Sequence, residues 1–125
     1  MRTQHEQRRH PRIFFSPTDG VTGTVSFLNL VGESDFTAGV LDLSESGIGF
    51  SLRRGTVDGL KAGDQLYLEE VVGAPDLEEL VAVTMQVRWV IDHEILGHVG
   101  VGCEFINLPE SVKDQIRTIV AQHVD

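Results

Sequence analysis

The chain has 125 residues, of which 41% are hydrophobic, and its formal net charge is −9. This length allows one domain with a modest core, and no stretch is long and apolar enough to cross a membrane. The single cysteine excludes an intramolecular disulfide, and the polar N-terminus lacks the apolar segment of an export signal. We therefore expect a cytoplasmic protein.

The charge is distributed unevenly along the chain. Residues 1–12 are rich in arginine and carry a net charge of +3, whereas residues 13–125 carry a net charge of −12. An acidic body repels duplex nucleic acid, and a basic segment on such a body indicates a small anionic ligand. Residues 1–12 also lack hydrophobic periodicity, so we expect them to form a flexible arm.

From residue 13 onward, apolar residues recur mostly with a period of two, which predicts β-strands. In the fifth predicted strand, Val81–Ile91, the odd positions are apolar, so Trp89 is expected in the core rather than as a base-stacking residue. Leu41 and Leu43 are expected to face inward in the second segment, and Cys103 is expected to be an inert buried thiol. The predicted strands are Val21–Leu30, Thr37–Leu43, Gly47–Leu52, Asp64–Val71, Val81–Ile91 and a sixth over 98–105.

The pattern changes after Asn107, where Pro109 and Glu110 suit a first helical turn. The apolar residues that follow at helical spacing predict an amphipathic helix over about 109–123; they are Val112, Ile116, Ile119, Val120 and Val124. Six short strands joined mostly by hairpins favour a closed antiparallel barrel, which leaves no exposed strand edge. We therefore predict an all-β fold, a six-stranded antiparallel β-barrel over residues 13–125 with a C-terminal α-helix.

Two motifs about thirty residues apart suit a ligand that has guanine edges and phosphates. Arg8 and Arg12 form an RxxxR frame, and a guanidinium fork matches guanine N7 and O6 as well as phosphate oxygens. Asp42, Ser44 and Gly47 form a DxSxxG frame where one predicted strand turns into the next. The carboxylate can accept from guanine N1–H and N2–H, and the glycine allows either close backbone approach or a positive φ. We expect Asp42 to face outward near one rim, with Ser44 in the turn.

Together these segments resemble the PilZ domain, a bacterial receptor module for cyclic di-guanylate (cyclic di-GMP). The resemblance extends roughly over residues 6–120 and includes the runs QRRHPRI, LDLSESGIGF, AGD and VGCEFIN. It implies a six-stranded barrel with a C-terminal helix, and cyclic di-GMP wrapped by the arm against the outer face of the barrel. The ligand-binding residues that it implies are Arg8, Arg9, Arg12, Asp42, Ser44 and Gly47.

Other polar residues give weaker signals. His10 lies inside the arginine motif and Arg88 is expected to point outward, so both are candidates for additional ligand contacts, although a solvated barrel charge is the simpler interpretation of Arg88. The five histidines show no metal-ligand spacing, and the chain shows no nucleophile–base pair. We therefore expect no metal, no cofactor other than the ligand itself, and no catalytic residue.

The sequence thus predicts a non-enzymatic cytoplasmic receptor that binds cyclic di-GMP and relays the signal to a separate output protein. Two alternatives remain open, a PilZ-like adaptor that acts through protein–protein interaction without ligand, and a small barrel that binds single-stranded nucleic acid. The acidic body and the inward aromatic residues count against the second alternative. A homodimer is compatible with the sequence.

Overall fold

The structure is a computed structural model that describes residues 11–30, 35–78, 80–92 and 97–123. The described chain forms seven strands and one α-helix, with short 3₁₀ turns at Pro17–Asp19, Leu28–Leu30 and Pro75–Leu77. The elements are β1 (Ile13–Phe14), β2 (Thr22–Phe27), β3 (Phe36–Leu43), β4 (Gly47–Arg53), β5 (Gln65–Val72), β6 (Val83–Ile91), β7 (His98–Ile106) and α1 (Glu110–His123).

Six of the strands close into a barrel. Their order is β3-β2-β5-β6-β7-β4, β4 pairs back with β3, and every pairing is antiparallel. These findings confirm the predicted six-stranded antiparallel barrel with a C-terminal helix. The short strand β1 was not predicted, because two residues are too few to show a period; it pairs with the end of β3, where β2 no longer does.

The barrel interior is filled by alternate side chains of the six strands. Leu66 and Leu68 on β5 are fully buried. Cys103 on β7 is also buried, and desolvation raises the pKa of its thiol to about 12, which agrees with the expected inert side chain. The helix α1 contributes Ile116 and Val120 to the same core. Among the described residues, no helix is long and apolar enough to span a bilayer.

Three strands contain one extra residue relative to a neighbouring strand, namely Leu41 on β3, Glu69 on β5 and Arg88 on β6. Such a β-bulge changes which of the following residues face the interior. The bulge at Leu41 makes the prediction for this residue wrong, because Val40 and Leu43 are the buried pair and Leu41 is only half-buried.

The bulge at Arg88 also makes the prediction for the end of β6 wrong. Val83, Met85 and Val87 point into the core as expected, but Trp89 and Ile91 are 44% and 49% exposed. Beyond the bulge the odd positions pair with outward glycines of β7 instead of inward residues. The single tryptophan of the chain is therefore a surface residue.

Candidate functional site

An arginine–carboxylate pair lies where the chain enters the barrel. Arg12 directly precedes β1, whose Phe14 pairs with Asp42 on β3. The Arg12 Nη1 atom donates a hydrogen bond to the Asp42 Oδ1 atom, and the two side chains are 27% and 18% exposed. The structure thus brings together one residue from each predicted motif, and both side chains remain accessible to a ligand.

Two features of the neighbouring strands position the Asp42 carboxylate. The bulge at Leu41 turns Asp42 to the outer face of the barrel, although Val40 and Leu43 on either side both point inward. Gly49 pairs with Asp42 across the β3–β4 ladder, and a Cβ atom at Gly49 would lie 2.9 Å from the Asp42 Oδ2 atom. The carboxylate therefore rests on the bare backbone of Gly49.

Gly49 was not predicted as a site residue. The sequence did carry a signal for it, since the run Gly47-Ile48-Gly49 sets two glycines on one face of a strand. Two glycines at this spacing in a strand indicate that something packs closely against that face. In this chain the neighbour of Gly49 is the Asp42 side chain.

The same outer row continues across the barrel to an exposed indole. Asp42 pairs with Gly49, Gly49 with Gly102 on β7, and Gly102 with Trp89 on β6. The Trp89 ring covers Gly102 so closely that a Cβ atom there would lie 2.1 Å from the ring atom Cε2. The Asp42 carboxylate lies over Gly49 on β4, and the Trp89 ring lies over Gly102 on the adjacent strand β7. Because adjacent strands are about 4.8 Å apart, the carboxylate and the indole lie roughly one strand spacing from each other.

Ser44 lies in the turn between β3 and β4, as expected, but its side chain does not project from the outer wall. Its side chain is completely buried, and its Oγ atom accepts a hydrogen bond from the Ser46 backbone N–H at 3.2 Å. The two hydroxyls lie 3.0 Å apart, and the Ser44 N–H donates to the Gly47 carbonyl at 2.9 Å. The serine of the motif therefore shapes the turn between β3 and β4.

Gly47 is required for close approach of two strands. A Cβ atom at this position would lie only 2.3 Å from the carbonyl oxygen of Cys103 on β7. Gly47 is not one of the described glycines that have a positive φ. Of the two roles considered for this residue, close backbone approach and a positive φ, the structure therefore shows close approach.

The turn that contains the second motif is also held by the helix. Arg117 on α1 donates to Glu45 Oε2 at 2.8 Å and to Glu110 Oε2 at 3.0 Å, and it also pairs with Asp114. These carboxylates raise the pKa of the Arg117 guanidinium above its already high ordinary value. Beside this network, a cavity of about 300 Å³ is lined by residues that include Pro11 and Val120, so the start of β1 lies close to the helix.

The remaining predicted residues are only partly covered by the structure. Arg8, Arg9 and His10 lie outside the described residues. Arg88 is 60% exposed, and its Nη1 atom lies 3.2 Å from Glu104 Oε1, which agrees with a solvated barrel charge. Among the described residues there is no group of three or more histidine, cysteine or acidic side chains that could hold a metal ion.

The fold and the site together define a class of protein. It is a closed six-stranded antiparallel barrel whose outer wall carries an arginine–carboxylate pair beside the additional short strand β1. The sequence model of the PilZ domain family matches residues 6–122 of this chain. The chain therefore belongs to the PilZ domain family, as the two motifs predicted. No curated protein matches the chain.

Solved structures show the same fold at low sequence identity. The PilZ domain of YcgR from Escherichia coli with c-di-GMP superposes with a TM-score of 0.66 at 18% identity, covering 94% of this chain and 91% of that one. The MrkH–c-di-GMP complex of K. pneumonia gives 0.69 at 16% identity, and the Bacillus subtilis inhibitor of motility gives 0.62 at 14%. Each of these two covers 93% of this chain, which spans 52% and 50% of their respective lengths.

Proposed function

We propose that this protein is a receptor for cyclic di-GMP, and that the ligand binds on the outer face of the barrel between the arginine segment and the row that joins Asp42 to Trp89. The observation that carries the proposal is the Arg12–Asp42 pair, which unites the two motifs in a chain of the PilZ domain family. Complexes of YcgR and MrkH with c-di-GMP add support, since both proteins share this fold.

The chemistry of the row suits a guanine base. The Asp42 carboxylate can accept from guanine N1–H and N2–H, while the Arg12 guanidinium can donate to N7 and O6 or to a phosphate. The exposed Trp89 indole offers a face on which a base can stack, and such stacking contributes about 1–3 kcal/mol per base in nucleic-acid complexes. Because the indole covers Gly102 and the carboxylate covers Gly49, the base would stack on the outward face of the indole.

The affinity that such contacts can reach is sufficient for a receptor. A micromolar dissociation constant corresponds to about 8 kcal/mol. One bidentate arginine–guanine contact supplies about 1–3 kcal/mol of discrimination, and hydrogen bonds to charged groups add about 1.5–3 kcal/mol each. In the proposed complex Arg8 and Arg9 supply further bonds of this kind to guanine and phosphate.

The other predicted residues have smaller parts in the proposal. Ser44 and Gly47 act by fixing the turn that follows Asp42, because the serine is buried and the glycine lies against β7. His10 and Arg88 stay candidates for additional ligand contacts. Arg88 lies next to Trp89 in sequence and would have to leave Glu104 to reach a ligand.

The proposed receptor is not an enzyme, and it acts in the cytoplasm by relaying ligand binding to a separate output protein. Its one cysteine is buried with a raised pKa, which makes it a poor nucleophile and fits a reducing compartment. Ligand binding would change the surface around the arginine segment, and a partner that distinguishes the two surfaces would receive the signal.

Isothermal titration calorimetry of the full chain with cyclic di-GMP tests the proposal. The unmodified protein should release heat with a defined stoichiometry, whereas Arg8→Ala and Arg12→Ala should bind at least about tenfold more weakly, since each loses more than 1.4 kcal/mol of arginine contacts. Arg53→Ala is the matched control, because Arg53 is an exposed arginine at the far end of β4.

The stoichiometry from the same titration would distinguish one bound molecule from a stacked pair. If the unmodified chain released no heat at high micromolar ligand, the receptor proposal would be wrong and the ligand-independent adaptor would replace it. Equal loss of binding in the Arg53 control would show that overall charge, and not the site, attracts the ligand.

A further inference from the structure

The end of β5 is a short open edge in the described part of the barrel. The pairing between β5 and β6 ends at Leu68 and Val83, and one further hydrogen bond runs from the Ala82 N–H to the Glu69 carbonyl at 3.4 Å. Ala82 has a φ of 58°, which turns the connecting chain away from β5. The last three residues of β5 therefore pair with β2 on one side and with no described strand on the other.

Val71 is 6% exposed, with its side chain in the core, and the small accessible part of the residue lines the cavity at this edge. The Val40 N–H donates to the Val21 carbonyl at 2.9 Å, so Val21 faces β3 and the next residue, Thr22, faces β5. Thr22 pairs with Val72, which therefore directs its backbone groups to β2. Backbone groups alternate in direction along a strand, so the N–H and C=O of Val71 point to the open side.

A cavity of about 550 Å³ lies beside this edge. It is a groove open to solvent between the end of β5 and the connection that leads to β6, and its lining includes Gly73, Ala74 and Pro75. Val72 and Val81 border it with 51% and 49% of their surface exposed. Strand addition uses two elements: an unpaired strand edge, which supplies backbone hydrogen bonds, and pockets beside it for side chains, which supply selectivity. The exposed aliphatic side chains of Val72 and Val81 border such a pocket.

The charge around the cavity selects the kind of occupant. Glu70 and Glu78 line it and are exposed, Asp76 lies in the connecting turn, and no basic residue is among the described residues of the lining. A second copy of this chain, whose net charge is −9, would be repelled by these carboxylates. A cationic segment would be attracted to them.

From these observations we propose that the end of β5 is a docking site for an extended segment of a partner protein in which aliphatic residues alternate with lysine or arginine. The segment adds as a strand against Val71, an aliphatic side chain enters between Val72 and Val81, and its cations pair with Glu70 and Glu78. This site is independent of the proposed ligand site, which lies on the outer faces of β3, β4, β7 and β6.

NMR titration of the ¹⁵N-labelled full chain tests this inference with a defined probe, a hexapeptide in which lysine and valine alternate. The expected result is saturable shifts of the Val71, Gly73 and Ala82 amides, together with slower solvent exchange of the Val71 amide. A hexapeptide in which glutamate replaces lysine should cause no such shifts. Replacing a central valine of the probe by proline, which removes one backbone donor, should weaken binding.

Two variants of the protein make the test specific. Val81→Lys, or Val72→Lys as a second variant, introduces a cation into the cavity and should weaken probe binding by at least about tenfold. Ile91→Lys is the matched control, because Ile91 is also 49% exposed but lies at the far end of β6; it should bind the probe as the unmodified chain does.

The inference would be overturned by three results. Equal shifts with the lysine and glutamate peptides would remove the charge selectivity on which it rests. Shifts confined to residues away from β5 would place the binding elsewhere. Sedimentation equilibrium that showed a dimer of the unmodified chain, but a monomer of Val81→Lys, would assign the edge to a second copy instead of a cationic partner.

Discussion

Replacing Gly49 by alanine separates binding from folding at the proposed ligand site. A Cβ atom at this position would lie 2.9 and 3.0 Å from the two carboxylate oxygens of Asp42, so the carboxylate must move. These oxygens are the mobile end of a side chain that is still partly exposed, so the backbone can stay in place. We expect Gly49→Ala to displace Asp42 from Arg12 while leaving the barrel folded.

The expected magnitudes differ for binding and for stability. Loss of a hydrogen bond to the displaced carboxylate costs about 1.5–3 kcal/mol of binding free energy, which raises the dissociation constant roughly ten- to hundredfold. For the free energy of unfolding, alanine in a strand gains about 0.5–1 kcal/mol over glycine, and loss of the partly exposed Arg12–Asp42 ion pair costs about 1 kcal/mol. The two effects offset each other.

Calorimetry with cyclic di-GMP and urea denaturation of the same samples measure both quantities. Gly39→Ala is the matched control, because Gly39 lies on β3 and the nearest atom to its added Cβ would be the Ser51 carbonyl oxygen at 3.7 Å. It should bind the ligand normally. In the double variant with Asp42→Ala, the Gly49 substitution should have little further effect.

Two results would refute this reasoning. Unchanged affinity of Gly49→Ala would mean that the carboxylate is not needed where it lies. A loss of several kcal/mol in the free energy of unfolding would mean that Gly49 serves the fold and not the site.

Three further predictions follow from single contacts. Cyclic di-GMP should quench the fluorescence of Trp89, the only tryptophan, and an unchanged emission spectrum at saturating ligand would exclude stacking on the indole. Gly47→Ala should lower the free energy of unfolding in urea by about 1–3 kcal/mol, because its Cβ would meet the Cys103 carbonyl oxygen at 2.3 Å; an unchanged unfolding midpoint would contradict this. A hydrogen bond with Asp35 and burial raise the pKa of Glu69 above 4.5, so folding favours its protonated form, and this stabilisation is lost as the pH rises through the raised value. Glu69→Gln should therefore melt at a higher temperature than the unmodified chain at pH 8, and the difference should vanish near pH 4; a difference independent of pH would show that the charge is irrelevant.

Much of the architecture could be predicted from the period of the apolar residues. Leu66, Leu68 and Met85 alternate with partly exposed or exposed residues in the sequence and line the core in the structure. The residue-level errors arose at the bulges, because a bulge adds one residue without interrupting the apolar character of the strand. Nothing in the sequence around Arg88 marks it as extra, so the orientation of Trp89 could not be read from the alternation.

The motif residues of the candidate site were singled out from the sequence, but their arrangement was not, and their role in ligand binding stays a prediction. The charge and geometry of Arg12 and Asp42 follow from their motifs, and the structure pairs them. The burial of Ser44 depends on its hydrogen bonds within the turn. Gly49 and Trp89 lie in the same row as Asp42 because of the registers of three strand pairings, β3–β4, β4–β7 and β6–β7. Such registers are properties of the closed barrel, which local sequence patterns do not contain.

The extra residue at Arg88 has a consequence for comparing related chains. Deleting it would join the Val87–Cys103 and Trp89–Gly102 pairs in one continuous register, so the indole of Trp89 would stay on the outer face. In an alignment of relatives, a chain with a one-residue gap at this position should therefore still carry its aromatic side chain on the surface. Loss of the bulge alone would therefore leave the surface ring in place, and a relative would lose it by substitution of the tryptophan itself.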